Sequence, residues 1–197
     1  MPMMQRALLF VLILAACLAP SAMRAQTCGV RCGVERWAVK TFTDEDTGLV
    51  DLTPRDASVL ELRAFVRPAN VLDARRAGPV ELSTYRVSAV LLGWKHERDD
   101  DFHLVIADPS YPDSTMIVEI PSARCSHVCS SRLVDAMMVA RRAVEAELGS
   151  PSSTYRPLRP PRAVTVTGIG FLDFLHGQTG VAPNGIELHP VLDIRFQ

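Results

Sequence analysis

The chain has 197 residues, with 21 Lys and Arg against 22 Asp and Glu. That near-balance excludes the basic footprint needed for non-specific nucleic-acid binding. Once the first 25 residues are set aside as targeting sequence, about 170 remain, enough for one domain with a sizeable core.

Residues 1–25 have the pattern of an export signal, with Arg6 ahead of an apolar run from Ala7 to Ala19. Such a run is shorter than the roughly 20 apolar residues that span a bilayer. Two processing routes are open. Ala25 offers a small residue for cleavage ahead of Gln26, whereas Leu14-Ala15-Ala16-Cys17 has the form of a lipobox that would lipidate Cys17. The expected location is secreted, periplasmic or cell-envelope, with membrane attachment only if Cys17 is lipidated.

Four further cysteines follow in two C-x3-C pairs, Cys28/Cys32 and Cys125/Cys129. Behind an export signal they read as disulfides rather than zinc ligands, which favour C-x2-C spacing. Three connectivities are open. Local pairing closes very small loops and so restricts the unfolded chain least. The matched spacings suggest antiparallel segments joining Cys32 to Cys125 and Cys28 to Cys129, with the parallel arrangement as the other long-range option.

Arg36–Phe42 alternates as a short strand, and the acidic Thr43–Gly48 segment after it reads as a solvated turn. Its Asp44 and Asp46 lack the Glu that an EF-hand loop requires. Thr53-Pro54 has the N-cap and N1 chemistry of a helix start, with Val59, Leu62 and Phe65/Val66 as its stripe and Pro68 as its stop.

Strands are expected over 85–93, 102–107 and 116–120. Between the first two, Glu97, Asp99, Asp101 and His103 fall at every second residue and so on one face. Oxygen ligands with one imidazole could hold a divalent cation. A solvated hairpin tip explains the same residues and is preferred, so no cofactor is assigned.

A helix over 131–148 follows from Leu133, Met137, Ala140, Val144 and Leu148, capped by Ser130 or Ser131 and closed by Gly149. The Pro- and Ser-rich 150–162 segment reads as an extended connection whose Arg156, Arg159 and Arg162 are solubilising charge. Strands over 163–168 and 185–193 complete the pattern; Pro190 makes the last one an edge strand or a bulged one.

These elements predict a mainly β (α+β) protein. Residues 26–197 form a single domain: an OB-like five-stranded barrel with one main helix over 85–195, and an N-terminal strand–helix addition over 26–80. The fallback is an antiparallel sheet with one packed helix.

The stretch 168–193 concentrates ionisable and special-backbone residues. Asp173, His176, Asn184, Glu187 and His189 are its candidate ligand-binding or functional cluster. Such residues include general acids and bases, but they equally suit a loop stabilised by polar side chains. A nucleophile elbow, a P-loop, a HExxH helix and a dinucleotide fingerprint are all absent. The preferred reading is a binding module using the 173–189 loop or the barrel face for an undefined ligand or envelope partner, with nucleic acid disfavoured. The alternatives are a structural envelope protein and a metal-dependent hydrolase of nuclease or phosphodiesterase type.

The segments HGQTGVAPNGIELHPVLDI, CGVERWAVKT from Cys32, and FHLVIADP together resemble a widespread family of exported bacterial proteins with no assigned activity. The resemblance implies a shared fold and exported character, and no reaction. It also implies that the family's usual cysteine pair falls on Cys32 and Cys125, with Cys28 and Cys129 as additions.

Overall fold

The computed structural model describes residues 29–69, 71, 75–175 and 177–197. The export-signal reading, Cys17, Cys28 and His176 therefore lie outside the described residues. The elements in chain order are α1 (Trp37–Lys40), β1 (Asp51–Ala57), α2 (Val59–Arg63), β2 (Ser83–His96), β3 (Phe102–Ala107), β4 (Thr115–Ile120), α3 (Val134–Leu148), β5 (Arg156–Leu172) and β6 (Ile186–Phe196).

All six strands belong to one mixed sheet in the order β1-β2-β3-β4-β6-β5, and β2 also pairs with β5. Strands β2 to β6 thus close on themselves as a ring. Within it β4 and β6 run parallel and every other pair runs antiparallel. Strand β1 runs parallel to the first half of β2, outside the ring. β2 can serve three neighbours because it is long and bends. Its register shifts between Leu91 and Gly93 against both β3 and β5. A side chain at Gly93 would meet the Tyr155 hydroxyl 2.5 Å away, so the bend requires glycine.

Strand alternation divides the ring into two faces. Leu104, Ile106, Met116, Val118, Ile120 and Leu188 point into the apolar core, which Met137, Ala140 and Val144 of α3 help fill. The intervening residues His103, Val105, Ile117, Glu119, Glu187 and His189 are also buried, but on the opposite face. Something else must cover them.

Part of that cover is the N-terminal layer, where the structure differs most from expectation. Residues 36–42 form a helical turn rather than a strand. Arg36 sits in the left-handed region at φ 48°, and the Trp37–Lys40 helix follows with Lys40 N bonding Arg36 O at 3.0 Å. The alternation is real, but long-range contacts override it. Trp37 Nε1 donates to Ser126 O at 3.0 Å, and Cys32 is disulfide-bonded to Cys125 across 93 residues. The Cys32–Cys125 bridge agrees with the pairing expected from the spacing and the resemblance.

Thr53-Pro54 starts no helix; it lies in the exposed strand β1, where a proline on a sheet edge costs no ladder bond. The helix begins after Ser58, whose hydroxyl accepts from Glu61 N while the Glu61 carboxylate accepts from Ser58 N. That capping box, S-x-x-E, is the stronger start signal. The 150–162 connection also extends less far than expected, since β5 already begins at Arg156. Its arginines are exposed, as solubilising charge would be.

Nor are Asp44 and Asp46 of the 43–48 segment solvated, although Glu45 between them is exposed. Arg76 Nη2 lies 2.6 Å from Asp44 Oδ2, and both side chains are buried. Asp46 accepts from Arg75 Nε at 2.8 Å and Arg76 N at 3.0 Å. Arg36 makes a two-pronged contact with Glu81, 2.6 Å on each oxygen, and also donates to Leu172 O at 3.2 Å. Glu81 accepts in addition from Ala77 N and Leu172 N. These guanidinium forks bolt the layer to the ring.

Candidate functional site

The covered face of β3, β4 and β6 holds a cluster of ionisable groups, and the sheet register assembles it. His103 lies directly opposite Glu119 in the antiparallel β3–β4 pair, with Nδ1 2.9 Å from Glu119 Oε1. The parallel β4–β6 pairing aligns Ile117 with Glu187. Continuing that register brings His189 beside Glu119, with Nδ1 3.1 Å from Glu119 Oε2. Asp101, just before β3, places Oδ2 3.4 Å from His189 Nε2 on the other side of the imidazole.

The β5–β6 loop closes over this face. A side chain at Gly180 would meet Val105 2.5 Å away, and its φ is +89°, so glycine alone lets the loop lie so close. There the Thr179 carbonyl stands 3.0 Å from His103 Nε2. Asp173 N bonds Gly185 O at 2.9 Å and Gly185 N bonds Ala182 O at 2.9 Å, tying the two ends of the loop together.

Above the cluster is a cavity of about 440 Å³ lined by Glu35, Lys40, Glu97, Asp99, Glu119, Asp173, Phe174 and Gln178. Five carboxyl groups and one lysine thus face one space. Lys40, delivered by α1, lies 3.7 Å from Asp173 Oδ2 and 5.4 Å over the Phe171 ring.

Charge here is crowded and poorly paired. Among the described residues, no hydrogen bond reaches either carboxylate oxygen of Asp101 or Glu187, or either ring nitrogen of His189. His189 is within ion-pair distance of two carboxylates, Asp101 and Glu119. Burial opposes its protonation, yet Asp101 and Glu119 outweigh burial and push its pKa up to about 9. Burial raises Asp101 to about 6 against the pull of His189. Burial, aided by the charges of Glu119 and Asp173, holds Glu187 well above the usual carboxylate range. Burial acts on Glu119 too, but His103, His189 and Lys40 overcome it and keep this carboxyl ionised far below its ordinary value. Lys40 is disfavoured by burial, but Glu119, Asp173 and Glu187 raise its pKa all the same. Strongly opposed shifts within one buried cluster occur at functional sites and in structural ion-pair networks alike.

Of the terminal candidates, Asp173, Glu187 and His189 come together here. Asn184 does other work. Its amide nitrogen donates to Leu62 O and Phe65 O, and its carbonyl accepts from Ile186 N, so it anchors the segment after α2 to β6. The alternating series of the first hairpin enters the same site, and the solvated tip preferred from sequence is corrected. Asp101 and His103 are fully buried, and Glu97 Oε1 lies 3.4 Å from His103 Nδ1. Sequence reasoning missed Glu119 and Lys40. A lone glutamate inside the apolar MIVEI strand was the available signal for the first; the second was hidden by the strand reading of 36–42. Compared with family models, curated proteins and solved structures, the chain matches none of them.

Proposed function

We propose that the protein is an exported binding module whose cavity takes a positively charged ligand. The observation that carries this reading is the lining itself, five carboxyl groups against a single lysine. A cavity of this size suits a small ligand or a single side chain. Its field favours ammonium or guanidinium groups and disfavours phosphates and nucleic acid.

The architecture supports the location. The ring order β2-β3-β4-β6-β5-β2, with α3 between its third and fourth strands, is the arrangement expected of an OB-like barrel. Such barrels bind ligands on the face of their second and third strands, between the loops joining strands one to two and four to five. Here those are β3, β4, the 97–101 turn and the 173–185 loop, of which β4, the turn and the loop border the cavity. A disulfide at Cys32–Cys125 is compatible with an extracellular or periplasmic location, which suits export.

The test is thermal denaturation with spermidine, a tetra-arginine peptide and a neutral chitotetraose. The cationic probes should raise the melting temperature by about 2–4 °C per kcal/mol of binding. The neutral sugar should leave it unchanged, and Glu97→Gln/Asp99→Asn should abolish the response. No response to either cation, or one that survives this double substitution, overturns the reading.

A further inference from the structure

We infer that Glu97, His103 and Glu119 form a binding site for a divalent transition-metal ion of the zinc or manganese class, opening onto the cavity. The inference deepens the cationic-ligand reading and rests on it.

The geometry starts with His103. Its Nε2 stands 3.0 Å from the Thr179 carbonyl, an acceptor only, so this nitrogen carries the proton. Nδ1 lies within hydrogen-bond distance of Glu119 Oε1, 2.9 Å away, and 3.4 Å from Glu97 Oε1. A divalent cation at Nδ1 would meet both carboxylate oxygens at once, in place of any proton held there. Histidine metal ligands are usually fixed in this way, with the far nitrogen donating to a carbonyl.

One ligand atom from each of the three residues lies within 4.8 Å of the others. Bonds of about 2.0–2.2 Å around one ion put neighbouring donors roughly 3–3.5 Å apart, so the triangle needs little adjustment. One imidazole and two carboxylates suit zinc or manganese better than the all-oxygen preference of calcium or magnesium. Glu97 and Glu119 also line the cavity, which leaves a coordination position open to water or ligand.

A second observation points the same way. Asp101 is fully buried, both its oxygens lack hydrogen bonds, and a donor atom of its carboxylate lies within 4.8 Å of one on Glu119. Glu187, 1 % exposed, is likewise unbonded on both oxygens. The imidazole of His189, 3.4 Å from Asp101 Oδ2, meets part of this acidic charge, and a cation at Glu119 would meet more of it. The Asp101–Glu119–His189 triangle is a weaker site for the ion. His189 directs its two nitrogens at different carboxylates, so the ring itself is the cation there. Lys95, 2.6 Å from Glu97 Oε1, offsets charge at the rim and would orient that carboxylate.

Titration calorimetry of chelator-treated full-length protein with zinc or manganese chloride alone tests the site, and cobalt substitution supplies a spectroscopic readout. One equivalent should bind, and cobalt should give ligand-field bands. His103→Gln and Glu97→Gln should each weaken binding more than tenfold. Glu97 is at the rim, so its variant serves even if His103→Gln fails to fold; circular dichroism checks this. Absent binding, or binding and cobalt bands unchanged in Glu97→Gln, overturns the metal site. If spermidine still stabilises the protein in that case, only the metal inference falls; if neither ion nor spermidine binds, the cavity reading falls with it.

Discussion

The molecule buries carboxylates in two regions and treats them in opposite ways. In the N-terminal layer each buried acid is met by a guanidinium, as in Arg36–Glu81 and Arg76–Asp44, and further backbone amides complete Glu81. On the β3–β4–β6 face, Asp101, Glu119 and Glu187 meet two imidazoles, one lysine and one another, and several oxygens bond nothing. The first arrangement fixes a structure. The second leaves charge only partly compensated, which is the contrast on which the proposed binding reading rests.

The largest effect should come from breaking a clamp. Arg36→Met leaves Glu81 charged, fully buried and without its fork, and should cost roughly 3–5 kcal/mol in urea denaturation. Converting Glu81 to Met as well should recover much of that loss. If the single substitution proved nearly neutral, the layer would not be the rigid half of the contrast.

Glu187→Gln should act in the opposite direction. It removes a carboxyl that burial and the charges of Glu119 and Asp173 already oppose. Its stability should therefore equal that of the unaltered protein or exceed it by about 0.5–2 kcal/mol. A comparable loss would mean that this carboxyl is paired as tightly as Glu81, and the distinction would disappear.

The smallest effect sharpens the contrast between adjacent residues. Asp100 is clamped by Arg124, with bonds of 2.8 to 3.0 Å, and approached by His96, whereas the carboxylate of its neighbour Asp101 has no hydrogen bond among the described residues. Partial burial pushes the Asp100 pKa up, but Arg124, Ser122 and His96 prevail and lower it to about 2. A depressed carboxylate stabilises the fold above its unfolded pKa of about 4 and ceases to do so as pH falls through about 2. Melting temperatures followed between these limits should show an acid limb that is shallower in Asp100→Asn. An unchanged limb would place the acid sensitivity elsewhere.

Much of the ring was legible in the chain. The apolar alternation of β3 and β4 and the three- and four-residue spacing of α3 are local patterns set by which side chain must avoid water. The pairing of 163–168 with 185–193 and the Cys32–Cys125 bridge agree with the reading as well. Pro190 was read as an edge or a bulge, and the β5–β6 register shifts between Gly168 and Gly170, beside it, give the bulge. The N-terminal layer was misread because its short segments take their conformation from distant partners. Trp37 and Arg36 are held by Ser126 and Glu81, and no local period encodes such bonds.

The candidate site shows the same division. By itself the sequence determined two sets of polar residues at alternate positions, Glu97 to His103 and Glu187 to His189, because a period of two follows from strand geometry alone. Only the tertiary structure decided that they form one site. Closing the ring makes β4 the neighbour of both β3 and β6, so a single glutamate, Glu119, stands between histidines 86 residues apart. Whether those charges face solvent or lie beneath a loop depends on which segment packs over the face. That is settled by long-range contacts, here Gly180 on Val105 and Lys40 on Phe171, rather than by any local preference of the chain.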